Sequence, residues 1–356
     1  MILFSDIYQN KRVFVTGHTG FKGSWLTLWL KEMGADVLGY SLAPNTEPSH
    51  HKILNLDINS IYADIRDRDT LNKSLSDFKP EIVFHLAAQP LVRYSYSNPI
   101  ETYETNVIGT LNVFEACRAY GNVSAIVNIT SDKCYDNKEW IWGYRENDPM
   151  GGYDPYSSSK GCAELLAASY RNSYFNNADY GTKHNTLLAS CRAGNVIGGG
   201  DWAMDRLMTD IMVAASKCEQ VSIRSPKATR PWQHVLEPLS GYLLVGQKLM
   251  EGDVSSADGW NFGPGDEGSI TVQQVIESIK KHWDKIDYKI HPDASLHEAH
   301  LLKLDCSKAY AKLKWHSVWK SEETFERTVS WYKAFYERGE CLSMQQLKEY
   351  TSLLKY

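Results

Sequence analysis

The chain of 356 residues has no closely spaced cysteine pairs and no long apolar run. Its seven cysteines are scattered, which argues against both a disulfide framework and a zinc site. No stretch approaches the roughly 18 uninterrupted apolar residues of a membrane-spanning helix. The N-terminus carries no basic segment followed by an apolar run, as a secretory signal would. These absences predict a cytoplasmic protein with reduced thiols.

The chain also lacks an excess of positive charge, since its formal net charge is -5. This balance argues against nucleic acid or an anionic membrane as the main partner. An arginine important for binding should therefore act locally, on a small anion. His291, His297 and His300 share a polar segment without cysteine or helical ligand partners, so we expect solvated histidines and no metal ion.

Strand-like and helix-like segments alternate through the first half of the chain. The predicted strands are residues 12–16, 37–42, 61–63, 82–86, 125–129 and 186–191. The predicted helices are residues 24–33, 67–78, 101–120 and 155–177. Strands buried on both faces and joined by helical crossovers predict an α/β fold with a doubly wound parallel sheet of the Rossmann type.

The alternation weakens after residue 191, which suggests a division into two parts. We predict a dinucleotide-binding domain over residues 1–191 and leave open that part of the later chain returns to it. Residues 192–356 should form a smaller C-terminal substrate-binding domain. Its last segment, residues 322–356, is predicted to be helical and to pack on the surface.

A glycine-rich segment follows the first predicted strand and precedes the first predicted helix. Gly17 can make a tight turn, Gly20 lets the backbone approach a pyrophosphate, and Gly23 permits close helix packing. Two residues separate each glycine pair, whereas the common dinucleotide fingerprint has one residue in its first gap. A glycine-rich turn without a ligand is the alternative. We predict a dinucleotide-binding loop made by Gly17, His18, Thr19, Gly20, Phe21, Lys22 and Gly23.

Tyr156 and Lys160 lie four residues apart, shortly after a typical helix start at Asp154 and Pro155. Both side chains should share one helix face. If the lysine lowers the tyrosine pKa from about 10 by about three units, the phenolate gains roughly 4 kcal/mol. We therefore expect Tyr156 to accept a proton at neutral pH. An ordinary helix tyrosine beside an exposed lysine is the alternative.

A second polar group, Ser131, Asp132 and Lys133, follows the predicted strand at 125–129. Ligands bind at the carboxyl ends of strands in such a sheet. This group, the glycine loop and the segment 85–89 should therefore converge on one crevice. Three residues of different acidity can divide proton transfers among themselves, although a polar loop without catalytic function is the alternative.

These motifs together resemble the extended short-chain dehydrogenase/reductase family, in particular its branch of nucleotide-sugar 4,6-dehydratases. Further segments that carry the resemblance are residues 64–65, 105–110, 192–202, 230–235 and 304–309. The resemblance implies an NAD-dependent hydro-lyase that acts on CDP-glucose as a homodimer or homotetramer. It also implies cofactor contacts from Ser41, Asp64, Ile65, Leu86, Ala87, Ala88, Gln89, Asn106, Tyr156 and Lys160.

The resemblance further implies an oxidation, an elimination and a reduction within one sugar. Tyr156, assisted by Lys160 and Ser131, takes the proton of the 4-hydroxyl as hydride leaves carbon 4. Asp132 then protonates the departing 6-hydroxyl while a base removes the proton of carbon 5. Hydride returns to carbon 6, which gives CDP-4-keto-6-deoxyglucose and water, an early step of deoxysugar biosynthesis.

Lys133 departs from the related dehydratases, which carry glutamate at this position. A lysine that serves as the base for carbon 5 would need a pKa about three units below the usual 10.4. Alternatively, a cationic Lys133 stabilises the developing enolate and another group removes the proton. Both roles stay open.

The choice of cofactor depends on the end of the second predicted strand. The acid that selects NAD in this family would fall near Ser41, and none is present there. Residues 39–51 also contain no arginine or lysine that could bind the 2'-phosphate of NADP, so we predict NAD.

For the diphosphate of the substrate we predict contacts from Arg230, Arg192 and Asn195, because arginine can bond two phosphate oxygens at once. Arg93, Trp232 and His234 complete the predicted substrate site, and Trp232 could instead be a core residue. A nucleotide-sugar 4-epimerase and a non-catalytic dinucleotide sensor are the alternative functions. Asp132 and Lys133 favour the dehydratase, since epimerisation requires no elimination.

Overall fold

The structure is a computed structural model that describes residues 3–265, 269–291 and 301–355. His297 and His300 lie outside these ranges. Within them, none of the helices combines the length and the apolar character needed to cross a membrane. The same residues contain no group of three or more potential metal ligands.

Seven strands form a wholly parallel central sheet. With strands numbered in chain order, they are β1 (Arg12–Thr16), β2 (Asp36–Ser41), β3 (Asn59–Tyr62), β4 (Ile82–His85), β5 (Ala125–Ile129), β6 (Leu187–Ala193) and β10 (Gly259–Phe262). Their order across the sheet is β3-β2-β1-β4-β5-β6-β10, the Rossmann order with one added strand. The predicted doubly wound parallel sheet is confirmed.

Helices cover both faces of this sheet, and others pack on strands of the later chain. They are α1 (Phe21–Glu32), α2 (His50–Leu54), α3 (Arg68–Phe78), α4 (Val92–Ser97), α5 (Pro99–Tyr103), α6 (Gly109–Tyr120), α7 (Pro155–Ser173), α8 (Leu207–Ser216), α9 (Leu236–Met250), α10 (Val272–Lys280), α11 (Ser321–Arg338) and α12 (Ser343–Leu353). A π-helical turn over Glu104–Ile108 connects α5 to α6 without a break, so the helix predicted at 101–120 combines three elements.

Alternate residues of the strands pack into two separate cores, as the period of a strand requires. Val13 and Val15 of β1 belong to the larger core, with Trp25 of α1 and Leu239 of α9. Phe14 belongs to the smaller core on the other face, which contains residues of α3, α6 and α7. Both faces of the sheet are therefore buried, and only its ends are available for a ligand.

The later part of the chain adds two small sheets. One contains β7 (Asn195–Ile197), β9 (Thr229–His234) and β11 (Ser269–Thr271), and the other pairs β8 (Gln220–Ile223) with β12 (Asp287–Ile290). Between these strands the chain returns to the central sheet, where β10 pairs with β6 and α9 packs on β5 and β6. β6 itself continues to Ala193, two residues beyond the predicted division.

The C-terminal helices pack on the rest of the protein through one buried face and are exposed on the other. Trp331 and Tyr332 of α11 and Tyr350 of α12 are fully buried in the larger core. The buried carboxylate of Glu237 on α9 accepts hydrogen bonds from the Trp319 amide at 2.7 Å and the Tyr350 hydroxyl at 2.8 Å. The tail thus covers α1, where Trp29 contacts Tyr350, and the buried Glu237 of α9.

Candidate active site

A cavity of about 1280 Å³ runs along the carboxyl edge of the central sheet. The glycine loop after β1, the ends of β4 and β5, and the start of α7 all contribute to its walls. The predicted site residues that line it are Gly17, Thr19, Gly20, Phe21, Lys22, Gly23, Ser41, Asp64, Ile65, Leu86, Ala87, Ala88, Gln89, Arg93, Ser131, Asp132, Lys133, Tyr156, Lys160, Asn195, Arg230 and Trp232.

The glycine loop is packed so closely that side chains are excluded at two of its three glycines. Gly17 has a φ of +74°, and a Cβ there would lie 2.7 Å from the amide nitrogen of Ala87. A Cβ on Gly23 would lie 2.0 Å from the carbonyl oxygen of Gly17. Gly20 stands at the N-cap of α1, where a Cβ would make only an ordinary contact of 3.4 Å with the Gly17 carbonyl oxygen, and no side chain caps the first amides of the helix. This cradle fits a pyrophosphate.

The side chain of His18 does not line the cavity, which corrects its predicted role as a cofactor contact. The ring is buried over Gly39, where a Cβ would lie 2.3 Å from it, and its Nε2 lies 3.0 Å from Ser60 Oγ. Burial, and then the neighbouring His51, lower the pKa of His18 to about 4. The ring is therefore neutral and packs between β2 and β3.

At the far end of the cavity, Ser41 and Asp64 lie where β2 and β3 end. Ser41 Oγ is 2.8 Å from Thr19 Oγ1, which also donates to the Leu42 carbonyl. Arg66 lines the cavity here too and binds Asp64 at 2.6 Å. Burial works to raise the pKa of Asp64, but hydrogen bonds from Arg66 hold it below its ordinary value. The search for a cation within residues 39–51 missed Arg66, because it follows the next strand.

Asn106 does not line the cavity but positions residues that do. Its Oδ1 accepts from the Gln89 amide at 2.8 Å, and its Nδ2 donates to the Gln89 carbonyl and to Ser159 Oγ. Asn106 therefore connects the loop after β4 to α7. The predicted direct cofactor contact is corrected to an indirect one.

Helix α7 begins as the sequence predicts and places Tyr156 and Lys160 on the cavity wall. Asp154 is the N-cap, and its carboxylate accepts from the Ser157 amide at 2.9 Å and the Ser157 hydroxyl at 2.6 Å. The Tyr156 amide donates to Ser95 Oγ at 3.2 Å. Tyr156 and Lys160 are both buried.

Desolvation of Tyr156 opposes the phenolate that we expected from the sequence. Burial raises the pKa of Tyr156 to about 12, although a hydrogen bond with Ser131 and the charge of Arg206 oppose this. Burial also lowers the pKa of Lys160 to about 8. Desolvation is the largest influence on the pKa of both side chains, and the spacing of the two residues does not reveal it.

Ser131 caps a short 3₁₀ turn over Asp132–Cys134 directly after β5. Its hydroxyl donates to Asp132 Oδ1 at 2.9 Å and accepts from the Lys133 amide at 3.3 Å. Burial raises the pKa of Asp132, against the charges of Lys133, Lys22 and Arg230 and the Ser131 hydrogen bond. The carboxyl group can therefore hold a proton and donate it inside the cavity.

Three arginines of the later chain, Arg206, Arg224 and Arg230, line the cavity, and Arg93 of α4 lines it as well. Arg206 binds Asp201 at 2.5 Å, and Arg93 and Arg224 each approach Asp205 at 3.8 Å. This density of guanidinium groups suits a diphosphate. Sequence reasoning missed Arg206 and Arg224 because they lie in irregular segments outside the recognised motifs.

Arg192 and His234 do not line the cavity, so their predicted substrate contacts are corrected. Arg192 is buried against Glu164, with Nη2 2.8 Å from the carboxylate. His234 is fully buried, and its ring centroid lies 4.8 Å from that of Trp319 and 5.9 Å from that of Trp25. Arg192 lies on β6 and His234 on β9, and both side chains are buried.

A family model described as GDP-mannose 4,6 dehydratase matches residues 14–328. The chain belongs to this family. Its membership confirms the resemblance to nucleotide-sugar 4,6-dehydratases. A family member from Salmonella typhimurium, a CDP-glucose 4,6-dehydratase, is 56% identical to this chain over 98% of each protein. A UDP-glucose 4-epimerase from Halalkalibacterium halodurans is 27% identical over 90% of this chain and 95% of its own.

Solved structures share the fold of this family member at lower identity. An epimerase from Methanothermobacter thermautotrophicus superposes with a TM-score of 0.80 at 22% identity, covering 97% of this chain and 98% of its own. A dTDP-glucose 4,6-dehydratase from Bacillus anthracis, in complex with NAD, has a TM-score of 0.76 at 20% identity, covering 92% and 98%. At these identities the likeness shows the fold alone.

Proposed function

We propose that this protein is a CDP-glucose 4,6-dehydratase that uses NAD and releases CDP-4-keto-6-deoxyglucose and water. The observation that carries the proposal is a pair of proton-transfer groups, Tyr156 and Asp132, in the wall of one cavity with a glycine cradle. An epimerase needs only the first of these groups. The identity of 56% with the Salmonella typhimurium relative supports the substrate.

The residues present fit a dinucleotide. The backbone of the loop around Gly20 would hold the pyrophosphate, and Ser41 and Asp64 would hold the adenosine ribose. Arg66 is paired with Asp64, which leaves it less available for a 2'-phosphate and favours NAD. NAD, when bound, supplies a nicotinamide that accepts hydride from carbon 4 and returns it to carbon 6.

Tyr156 takes the proton of the 4-hydroxyl in its phenolate form. Burial raises the pKa of Tyr156 to about 12 even though a hydrogen bond with Ser131 and the charge of Arg206 both favour the phenolate. The phenolate therefore requires further positive charge within the site. Lys160 stands one turn further along α7, and its ammonium group adds positive charge at the same wall.

Asp132 donates its proton to the departing 6-hydroxyl. Its buried carboxyl is biased towards the protonated form and is oriented by Ser131 at 2.9 Å. Lys133 follows in the same turn and lines the cavity. It acts on carbon 5, either as the base or as the cation that stabilises the enolate.

The nucleotide half of the substrate binds along the arginine-rich wall. Arg206 and Arg230 are the proposed ligands of the diphosphate, with Asn195 as a polar contact. Arg93 and Arg224 extend this positive wall. Their partner Asp205 approaches each at 3.8 Å, a spacing loose enough for an incoming phosphate to compete.

The protein is further proposed to be a cytoplasmic homodimer or homotetramer. Large apolar side chains are exposed on neighbouring helices, among them Ile100 of α5, Ile108 of the π turn and Leu165 of α7. Such a cluster on a helix pair suits an interface between identical copies. All seven cysteines are free, as expected of a reducing compartment.

The test is incubation with NAD and CDP-, UDP-, GDP- or dTDP-glucose in deuterated water, followed by mass analysis and location of the label. We expect CDP-glucose to lose one water and to gain deuterium at carbon 5. Lys133→Ala should still reduce the cofactor transiently but suppress exchange at carbon 5. An unchanged mass with altered stereochemistry would identify an epimerase, and cofactor binding without turnover would identify a sensor.

A further inference from the structure

Behind the cavity wall lies a buried set of charged groups that the mechanism does not use. It contains Glu164 of α7 and Arg192 of β6, whose side chains are only 1% and 4% exposed. We propose that Glu164 is a positioning residue that keeps Lys160 in its ammonium form, with Arg192 and Thr130 holding the carboxylate in place. The catalytic consequence rests on the proposed function, since it assigns a role to Lys160.

The carboxylate of Glu164 connects the two segments that carry the proposed catalytic groups. Glu164 lies four residues after Lys160, so their side chains share one face of α7. The Thr130 hydroxyl donates to Glu164 Oε1, and Thr130 immediately precedes Ser131. One carboxylate therefore contacts the end of β5 and stands one turn from the lysine.

Arg192 holds this carboxylate from the opposite side. Its Nη2 donates to Glu164 Oε2 at 2.8 Å, while Nη1 donates to the Tyr135 hydroxyl at 2.6 Å and the Glu146 carbonyl at 3.0 Å. Burial works to raise the pKa of Glu164, but Arg192 and Thr130 hold it below its ordinary value. The carboxylate is thus ionised although it is buried.

The chain leaves room for this arrangement at Gly259 of β10. A Cβ at this position would lie 2.6 Å from Arg192 Nη2 and would displace the guanidinium. Tyr135, which receives one of the Arg192 hydrogen bonds, directly follows the turn Asp132–Cys134 and donates to Asn261 Oδ1 at 2.8 Å. The set therefore joins β6, β10, α7 and the catalytic turn.

Lys160 depends on a nearby anion because burial opposes its charge. Burial lowers the pKa of Lys160 to about 8, while Glu164 and the Cys134 thiol act to raise it. The other titratable groups facing it are Tyr156 on its own helix, Lys22 of α1 and His85 of β4. Since Lys22 is cationic and His85 is neutral, Glu164 is the main source of negative charge in this set.

A purely structural ion pair is the alternative, because buried pairs often contribute little to net stability and serve only to fill the interior. The two possibilities differ in what happens to Lys160. If the pair only supports packing, replacing Glu164 in a folded protein leaves the lysine titration unchanged. If the carboxylate acts on Lys160, the titration moves to lower pH.

The experiment follows the charge of Lys160 directly, in full-length protein without cofactor that carries lysine labelled with carbon-13 at the ε-carbon. Loss of one signal in Lys160→Arg assigns the resonance. In Glu164→Gln we expect its titration midpoint to fall by about one pH unit or more, since a close opposite charge shifts a pKa by that amount. Glu164→Asp should restore most of the shift.

A double variant keeps the proposal testable if Glu164→Gln does not fold. Glu164→Gln with Arg192→Gln removes both charges and leaves no unpaired guanidinium, so its midpoint should lie between those of wild type and Glu164→Gln. Glu115→Gln is the matched control, because Glu115 also bonds α7 through Tyr170 but lies at the surface. Its midpoint should equal that of wild type.

An unchanged midpoint in a folded Glu164→Gln or double variant would overturn the proposal, as would an equal shift in Glu115→Gln. The pH profile of transient cofactor reduction gives a second readout, whose basic limb should move to lower pH in Glu164→Gln. If wild type does not dehydrate CDP-glucose, the proposed function fails. The titration still decides the role of Glu164.

Discussion

At the scale of single residues, burial biases both proposed proton-transfer groups towards their neutral forms. It raises the pKa of Tyr156 to about 12 and also raises that of Asp132. The reaction requires them to behave differently, since the tyrosine must lose its proton and the acid must keep one. Ser131 lies between them and bonds both. Arg206 adds a positive charge that favours the ionised form of Tyr156. The difference between the two groups therefore comes from these neighbours.

Asp132→Asn should separate the oxidation from the elimination. The amide cannot donate a proton to the departing hydroxyl, so loss of water should slow by about 10²–10⁴, the usual contribution of a general acid. Reduction of the cofactor should persist, because Tyr156 and Ser131 are intact. Absorbance of the reduced cofactor and mass of the sugar nucleotide measure the two steps. Asp77→Asn, a change in an exposed ion pair with Lys73, is the control. Equal loss of both steps would contradict the assignment.

Most residues of the cavity wall could be predicted from the sequence, because motif residues at the ends of parallel strands lie at the carboxyl edge of the sheet. The prediction failed for side chains whose direction depends on a residue distant in the sequence. Arg192 lies near the carboxyl end of β6, yet its side chain turns inward to Glu164, which lies 28 positions away along the chain. The ring of His18 packs against Gly39, because glycine has no side chain to occupy that space. The position of a residue within a motif does not show which residue its side chain will contact.

At the scale of elements, the contact between α7 and the turn Asp132–Cys134 fixes the two catalytic segments relative to each other. Gly161 makes this approach possible, since a Cβ there would lie 2.5 Å from the Gly151 carbonyl and 3.2 Å from that of Cys134. It follows Lys160 directly. The proposed cation and the proposed acid are therefore positioned by one close backbone contact.

The contact between α9 and α12 makes stability depend on pH. Burial raises the pKa of Glu237 to about 7, although hydrogen bonds from Trp319, Val318 and Tyr350 oppose this. The folded state therefore binds a proton more tightly than the unfolded chain, and this contribution to stability is lost as pH rises from about 4.5 to 7.

Relative to Glu237→Gln, the free energy of unfolding of wild type should fall by about 3 kcal/mol across that interval. Urea unfolding at a series of pH values measures the difference. Glu251→Gln, at the exposed end of α9, should follow wild type. Parallel curves for wild type and Glu237→Gln would contradict the effect.

The positions of strands and helices in the first half of the chain were predictable, because each has its own hydrophobic period and residues typical of its ends. Predicted strands differ from observed ones by a residue or two, as β6 illustrates. The C-terminal helices were predicted as helices, but the elements they pack against were not, since their aromatic residues could face either a domain or a partner. Only the packing of Trp331 and Tyr350 against the larger core resolves this.

At the scale of the whole molecule, the exposed apolar side chains of α5, the π turn and α7 should control assembly. Leu165 is 61% exposed on α7. Leu165→Glu places a charge in the proposed interface, and desolvating it there should shift the protein towards monomer. Analytical ultracentrifugation measures the distribution. Leu353→Glu, at the end of α12, is the control, as Leu353 is also exposed but lies elsewhere. An unchanged assembly state would locate the interface on another surface.

The return of β10 to the central sheet has a consequence during synthesis. Until residue 262 has left the ribosome, β6 presents an open edge, because its neighbour on that side comes from a strand 66 residues further along. We therefore expect the nascent cofactor-binding half to complete its sheet only late in translation. A polypeptide truncated before that point should be a target for chaperones and proteases.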